Sequence, residues 1–533
     1  MLGAVVRKEF LNHVASFRFW VVAVLALVLA ASSTSIAARD YNERLRGYRE
    51  RRADHERKLA TVTVYSSLQP AALRPPELLS ILDQGFDAQL GTDVTIDVFS
   101  IPTRAARAQR GNELLVSIPA VDLTRIVGVV LGLLALLLSH DAFTGERAAG
   151  TLRTTFAHAV SRRTVLAGKI LGGLLTLALS LTAALCASLA LLMLQTATAP
   201  SPDQWLRIAG LALAYGGYLS LMLLLGLILS LHARSSSSAL VIAVLFWLVA
   251  VLVLPESARA LASSVTGTQE ARREAERAER GLAAAYEKRL AAELRRQPIL
   301  VTFSGDTPVS FMSGKHRAVL HRFGSAAYYA ALQRYYRFEV ETGIRSAEKL
   351  YEIDRRYDER LREGERLVTV LSAASPSFLL DRISQSLAGT SIAEQDGFLA
   401  SCRAFRRTFL GYLERRQALG SWRWFTDDRP EQLHPWPEFL GLTLDQAAAA
   451  DVSGLFRRLT DPAVETRVQE ARQALEQDAT RHLPLADMPR FSYAGPRFHA
   501  ALGRVAPEIL VLLALNALAA AAAWLRFRRY ATV

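Results

Sequence analysis

The chain has 533 residues, of which 51% are hydrophobic and 21% are charged, and its formal net charge is +13. One soluble core rarely needs so many apolar residues beside so many charges, so we expect the apolar residues to be concentrated in blocks. The only two cysteines, Cys186 and Cys402, lie in different predicted regions, which excludes a disulfide framework.

Six stretches of roughly 17 to 25 largely uncharged residues are long enough for helices that cross about 30 Å of hydrocarbon. They predict spans at Phe17–Ala38, Val121–Ser139, Lys169–Gln195, Trp205–Leu231, Ser237–Pro255 and Val505–Leu525. A cleaved signal peptide is the alternative for the first stretch, since small residues precede a polar region, but its apolar run is longer than such peptides carry. We therefore expect an all-α polytopic membrane protein with an uncleaved first span.

These spans divide the chain into five regions. They are an N-terminal segment with the first span (1–38), a first insertion (39–120), four spans (121–256), a large insertion (257–504) and the last span with its tail (505–533). In the first insertion, two alternating runs beginning at Thr61 and Asp93 predict short strands beside a proline-bearing break. The large insertion carries aromatic residues such as Tyr335 and Tyr336 at helical spacing, which indicates a helical core more often than a ligand surface.

Ionisable residues at the span ends have two possible interpretations. Asp122 and Arg125 stand three residues apart at the start of the second span, which favours an anchoring ion pair over an ion pathway. Glu508 follows Pro507 at the start of the last span, and we expect an interfacial residue there instead of a substrate or proton site.

A ridge of small side chains runs along the third span. Its members recur every four residues and let another helix approach closely; they are Gly168, Gly172, Thr176, Ser180, Ala184 and Ser188.

The connection between the second and third spans, residues 140–169, is charged and amphipathic. The pattern predicts a short helix interrupted at Gly150 and Thr151, then a helix capped by Ser161, with Arg162, Arg163 and Lys169 at the depth of the lipid headgroups. Such an element suits docking onto a soluble partner or lying on the membrane surface, and the pattern alone leaves the two equal.

Basic residues flank the spans unevenly. They concentrate before the first span, in 140–169 and after the last span, while the connection between the third and fourth spans has none. The positive-inside rule then predicts both termini and 140–169 in the cytoplasm of a bacterial inner (plasma) membrane protein, with both insertions outside. Elsewhere the arginines alternate with glutamates on helices, which favours solvated helix faces over nucleic-acid binding. Membrane lipid is the expected partner of the spans and of the basic residues at headgroup level.

The stretch HDAFTGERAAGTLRTTFAHAVSRRTVLAGKILG resembles the signature loop of ABC-2 type permeases. The matching positions are Asp141, Phe143, Glu146, Gly150, Thr151, Leu152, Val160, Ser161, Arg162, Gly168 and Lys169. The N-terminal VVRKEFLNHVASFRFW is similar to the elbow helix of that family, with Arg7, Lys8, Glu9 and Phe10 matching. Ala159 departs from the pattern, since the family often has proline there.

The insertions are similar to those of enlarged ABC-2 permeases grouped with copper-enzyme maturation and gliding motility. The resemblance is carried by SPSFLLDRISQSLAGT (Ser375–Thr390) and PRFSY (Pro489–Tyr493).

The resemblance implies that 140–169 is a coupling loop that contacts a separate ABC ATPase subunit. Glu146 is then expected to pair with a basic residue of the elbow or of the ATPase. The family also pairs two permease subunits, so a second copy or a sister permease is an implied partner. ATP and Mg²⁺ would be bound by the ATPase, and this chain would bind no cofactor directly.

The chain shows no nucleotide-binding motif of its own. Around FMSGKH, Val309 stands where a phosphate-binding loop needs its first glycine, and His316 stands where it needs Ser or Thr.

Two functions fit these features of the sequence. The favoured one is the permease subunit of an ATP-driven transporter, which exports a substrate or performs mechanical work on an outside partner. The alternative is a non-transporting scaffold or sensor with a helical periplasmic domain.

Overall fold

The computed structural model describes residues 2–87, 90–106, 121–151, 160–257, 268–296, 326–373, 375–425 and 481–529, together with 462, 463, 466 and 470. Its α-helices are α1 (Leu2–Val14), α2 (Phe17–Ala60), α3 (Leu123–Arg125), α4 (Gly132–Ser139), α5 (Thr144–Ala148), α6 (Arg162–Gln195), α7 (Pro202–His232), α8 (Ser236–Trp247), α9 (Thr268–Arg296), α10 (Ala326–Ser372), α11 (Pro376–Ala388), α12 (Ile392–Arg415), α13 (Trp422–Phe425), α14 (Phe498–Arg504) and α15 (Ala506–Arg528). Two π-helical stretches, Ile126–Leu131 and Leu248–Val253, continue α3 and α8.

Six helical stretches in the described residues are long and apolar enough to cross a membrane. We number them as spans one to six: Phe17–Ala60, Leu123–Ala148, Arg162–Gln195, Pro202–His232, Ser236–Ser257 and Ala506–Arg528. The chain is therefore an all-α polytopic membrane protein, as the sequence predicts. Below, the end of this bundle near residues 140–169 is the loop end, and the end from which the two insertions emerge is the insertion end.

Span one is longer than its apolar run. The helix begins after Ser16, whose hydroxyl accepts a hydrogen bond from the Phe19 N–H, and continues to Ala60 instead of ending near Ala38. Charged helix formers carry it onward, with ion pairs one turn apart such as Arg44 with Asp40 at 2.8 Å. The first insertion consequently starts as an extension of span one.

One of the two strands of the first insertion is displaced from its predicted place. β1 (Ala71–Leu73) and β2 (Asp93–Thr95) pair antiparallel, with Ala72 opposite Val94. The prediction at Asp93 is confirmed, but the one at Thr61 is wrong, because Thr61 ends α2. β1 instead lies in the proline-bearing stretch directly after Pro70, and proline is tolerated at the edge of so short a strand.

Asp122 has a wider role at the start of span two than the predicted ion pair. Its carboxylate accepts hydrogen bonds from the backbone N–H groups of Arg125 and Gln84, at 2.9 and 3.1 Å. It therefore caps the helix and joins it to the first insertion, and the charge of the Arg125 side chain also attracts it.

The membrane bundle and the insertions have separate hydrophobic cores. The bundle core includes residues from the spans together with Leu380, Ile383 and Leu387 of α11. The insertion core joins the first insertion to α10, α12 and α13, and Tyr335 is buried in it. The aromatic stripe of α10 is thus core, as expected: the ring of Tyr336 stacks on Phe425 with centroids 4.7 Å apart.

α9 and α10 pack as an antiparallel hairpin. Glu274 near the start of α9 pairs with Arg360 at 3.0 Å, while Leu294 near its end reaches the same core as Tyr336. The C-terminal end of α10 returns toward the spans and leads into α11, which packs on span four and span six at the insertion end. Both cysteines are free thiols, in agreement with the prediction.

Candidate functional site at the loop end

The elbow helix α1 lies in the ridge of small residues on span three. A Cβ atom placed on Gly168 would lie 2.4 Å from Val5 Cγ1, and one on Gly172 would lie 2.7 Å from Glu9 Cβ. The two glycines are therefore what lets the elbow lie directly on the helix. All six ridge residues are buried.

Span one covers the other half of the ridge. The Thr34 hydroxyl donates a hydrogen bond of 2.9 Å to the Ser188 hydroxyl. The hydroxyl groups of Thr176 and Ser180 donate hydrogen bonds to carbonyls of their own helix, at 2.9 and 3.5 Å. Within the described chain, the ridge is thus occupied by two helices of the same subunit.

Four charges join the elbow, the loop and span three. The Lys8 ammonium donates to Glu146 Oε1 at 2.8 Å, and Lys169 Nζ lies 3.2 Å from Glu9 Oε1 and 3.1 Å from Glu146 Oε2. Lys8 also lies 3.5 Å from Glu9. We call these four residues the charge cluster.

Burial makes the cluster sensitive to the loss of a partner. The Lys169 and Glu9 side chains are 3% and 8% exposed, whereas the Lys8 side chain is 48% exposed. Burial by itself lowers the pKa of Lys8, but its hydrogen bond to Glu146 and the charge of that carboxylate outweigh the effect, so the pKa is raised. Lys169 balances the charge of two carboxylates that are shielded from water. A neutral residue there would leave their negative charge with less compensation.

The first turn of the loop 140–169 is anchored inside the bundle. Phe143 is fully buried, and its ring lies 4.8 Å from the ring of Phe527 at the end of span six. The Ser230 hydroxyl of span four accepts hydrogen bonds from the N–H groups of Phe143 and Thr144, at 3.0 and 3.3 Å. These contacts fix the direction of α5 at the loop end of span two.

The last described residues before Leu152 are exposed. Residues 147–151, which we call the loop tip, face solvent and follow the partly buried Gly145 and Glu146. Gly150 has φ of +71°, a left-handed conformation that side chains other than glycine rarely adopt. Thr151 donates its hydroxyl to the Glu146 carbonyl at 3.3 Å, which closes the turn.

The C-terminal part of the loop contacts the end of span six. Ser161 accepts from the Thr164 N–H and caps span three as predicted, and Arg162 Nη1 donates to the carbonyls of Phe527 and Arg528, at 3.2 and 2.7 Å. A cation at the C-terminal carbonyls of a helix is favourable for the helix dipole. The Arg163 guanidinium lies 5.5 Å from the Trp524 ring centroid, so two arginines hold the same helix end.

The structure corrects one expectation about this site. The Lys169 side chain does not face lipid headgroups, because the elbow and α5 cover it and pair it with Glu9 and Glu146. Of the two partners expected for Glu146, the structure shows the elbow lysine.

The remaining predicted residues lie around this centre. Asp141 is partly exposed and 3.9 Å from Arg18, Phe10 is partly buried on the elbow, and Leu152 lies outside the described residues. Sequence reasoning missed Ser230 and Phe527, which have no local pattern around them. Their only signal is that a serine and a phenylalanine occur at the loop ends of two spans.

Comparison with known families agrees with this architecture. A family model described as an ABC-2 family transporter protein matches residues 3–294, more than half of the chain. The chain belongs to the ABC-2 transporter family. The match includes the elbow, the loop 140–169 and spans one to five. A membrane permease component of this family is a non-catalytic, multi-pass subunit.

The large insertion of this ABC-2 protein matches a second family model. That model is a domain of unknown function (DUF3526), and it covers residues 326–494, which include α10, α11 and α12. An enlarged ABC-2 permease, as the sequence suggests, is consistent with both matches. No curated protein matches the chain.

Proposed function

We propose that this ABC-2 permease docks a separate ABC ATPase subunit on its coupling loop and transmits the closure of that ATPase to its membrane helices. One observation carries the proposal: the loop has an exposed tip at 147–151, while its two flanks are fixed to the elbow and to spans three, four and six. An element that only rested on the membrane surface would not need those fixed flanks.

The charge cluster supplies the first path of transmission. Glu146 lies on the loop, Lys8 and Glu9 lie on the elbow, and Lys169 lies on span three. A push on the loop would move the elbow and span three together, because separating them would expose or unpair buried charges.

Span six supplies the second path. Phe143 and Arg162 hold its last residues at the loop end. At the insertion end, its Glu508 pairs with Arg382 of α11 at 2.9 Å. Force on the loop can therefore reach the insertions through one helix, which favours mechanical work on an outside partner alongside substrate export.

Further parts of the proposal follow from the charge distribution and the family. Both termini and the coupling loop lie in the cytoplasm, the insertions lie outside, and the membrane is the inner (plasma) membrane of a bacterium. The transporter contains a second permease subunit, either a second copy or a sister chain. ATP and Mg²⁺ are bound by the ATPase, and this chain supplies no catalytic residue.

Co-purification with a bulky loop variant tests the docking. Ala149 is exposed at the loop tip, and Ala284 is exposed on α9 in the large insertion, which makes them a matched pair. The complex is purified from its own membranes in mild detergent, and the ATPase is quantified by mass spectrometry for wild type, Ala149→Trp and Ala284→Trp. We expect wild type to retain a phosphate-binding-loop ATPase and Ala149→Trp to lose about tenfold of it, equivalent to about 1.4 kcal/mol of binding. Ala284→Trp should match wild type.

Two results would contradict the proposal. One is equal recovery of the ATPase with both tryptophan variants, which would place docking away from the loop. The other is no ATPase with wild type even after gentle cross-linking, which would favour the scaffold or sensor function.

A further inference from the structure

The chain between α10 and α11 turns against the interior of the bundle. Ser375 donates its hydroxyl to the Ala250 carbonyl of span five at 2.7 Å, and Ser377 donates to the Val251 carbonyl at 3.3 Å. Both serines are buried. The carbonyls belong to the π-helical stretch Leu248–Val253, where the regular ladder of the helix is altered. Serine hydroxyls commonly satisfy such backbone groups at membrane depth.

These hydrogen bonds set the depth of the turn. The apolar part of span five ends at Leu254, directly before Pro255 and Glu256, and Ala250 is four residues before that end. At 1.5 Å per residue, Ala250 lies about 6 Å inside the apolar part. Because span five, with 22 described residues, is long enough for a hydrocarbon core of about 30 Å, Ser375 lies within the hydrocarbon of the nearer leaflet.

The last turns of α10 must therefore pass through that leaflet. Their outward face carries Leu367 and Val370, which are 43% and 73% exposed. Arg366 is exposed one turn before Val370 and at most about 14 Å along the helix from Ser375, which places its guanidinium near headgroup depth. On span five, Leu252 and Val253 near the same end are also exposed, at 43% and 46%.

We propose that the C-terminal end of α10 is a lipid-binding surface, in which Leu367 and Val370 contact acyl chains and Arg366 contacts lipid phosphate. The surface is next to the lipid-facing side of span five, to which Ser375 and Ser377 join it, so the same bilayer covers both. It anchors the α9–α10 hairpin of the large insertion to the membrane at a point distant along the chain from α2. The alternative is that these residues face water, and the experiment below distinguishes contact with lipid from contact with water.

A fluorescent probe at single cysteines tests the surface in the full chain. Cys402 is buried, and burial raises the pKa of its thiol to about 12, so only the exposed Cys186 needs replacement, by alanine. Val370→Cys and the control Arg356→Cys are made in that background. Arg356 is exposed 14 residues earlier on nearly the same face of α10, about 21 Å along the helix. The probe is attached in detergent, and the proteins are reconstituted into phosphatidylcholine vesicles with or without lipid brominated in the upper part of its acyl chains.

Brominated lipid should quench the probe at position 370 and leave the probe at position 356 unchanged. A dissolved iodide quencher should show the opposite order. Equal behaviour at the two positions, or iodide quenching at position 370, would overturn the proposal. The Cys186→Ala background carried through the same labelling confirms that Cys402 is silent, and a monodisperse elution profile confirms that each variant is folded. This result does not depend on the presence of an ATPase.

Discussion

At the scale of single residues, Lys169 is the buried cation of the charge cluster at the loop end. It is almost fully buried and pairs with two carboxylates from two other segments of the chain. Removing one partner of a buried ion pair costs more than the pair contributes, because the remaining charge stays desolvated. The neighbouring Lys8 is half exposed and can rearrange toward water.

We predict that Lys169→Met destabilises the protein by about 3 kcal/mol, near the low end for buried pairs because Lys8 still faces both carboxylates. Lys8→Met, the matched control, should cost about 1 kcal/mol or less, as exposed pairs do. The measurement is thermal unfolding in detergent, followed by intrinsic tryptophan fluorescence.

A double variant separates charge from packing. Glu9→Gln combined with Lys169→Met removes one buried charge of each sign, so it should be less destabilised than the sum of the single variants. Simple additivity would mean that the charges do not interact as the distances indicate.

At the scale of elements, the ridge on span three decides how closely the elbow approaches. Gly168 faces Val5, a stiff β-branched residue, whereas a Cβ on Gly216 of span four would meet nothing within 4 Å. Both glycines lie inside long apolar helices, so the two Gly→Ala substitutions differ chiefly in the atoms that the added methyl group would contact.

Gly168→Ala should destabilise the protein by about 1–3 kcal/mol, the usual cost of overpacking, and should make the elbow more accessible to protease. Gly216→Ala should be neutral or stabilising by up to about 1 kcal/mol, because alanine favours the helix. Melting temperatures and limited proteolysis of both variants check this. Equal melting temperatures with an unchanged elbow would show that the ridge does not seat it.

The elements were predictable where one local pattern determines them. Hydropathy located all six spans, and the Ser161 cap followed from a serine before an apolar run. The extension of span one to Ala60 was not visible to hydropathy, because ion pairs between turns sustain it. β1 was misplaced, since three residues of Ala71–Leu73 carry almost no alternating pattern.

The candidate site was predictable in its position but, apart from the pairing of Glu146 with the elbow, not in its contacts. The loop motif singled out Glu146, and the small residues singled out the ridge. The burial of Lys169 was missed because its partner Glu9 lies 160 positions away in the sequence. Ser230 and Phe527 were missed for the same reason: tertiary packing alone gives them their roles at the loop.

At the scale of the whole molecule, the two ends of the bundle are connected in a way that suits transmission. At the loop end, Arg162 and Phe143 hold the last turn of span six. At the insertion end, Arg504 precedes span six and pairs with Glu394 of α12 at 2.8 Å, and the Asp203 carboxylate of span four accepts from the Phe498 N–H at 2.8 Å. The insertions are thus fastened to the helices that the loop would move.

The most direct test of the central claim is a photo-cross-link from the loop tip in living cells. A photoreactive phenylalanine analogue replaces the exposed Ala149, and the control carries it at the exposed Ala284 of α9. After illumination, the adducts are purified through the permease and identified by mass spectrometry. The account predicts an adduct between position 149 and a phosphate-binding-loop ATPase, with none at position 284. Adducts from position 149 to lipid alone, in a protein that is correctly inserted and folded, would contradict it.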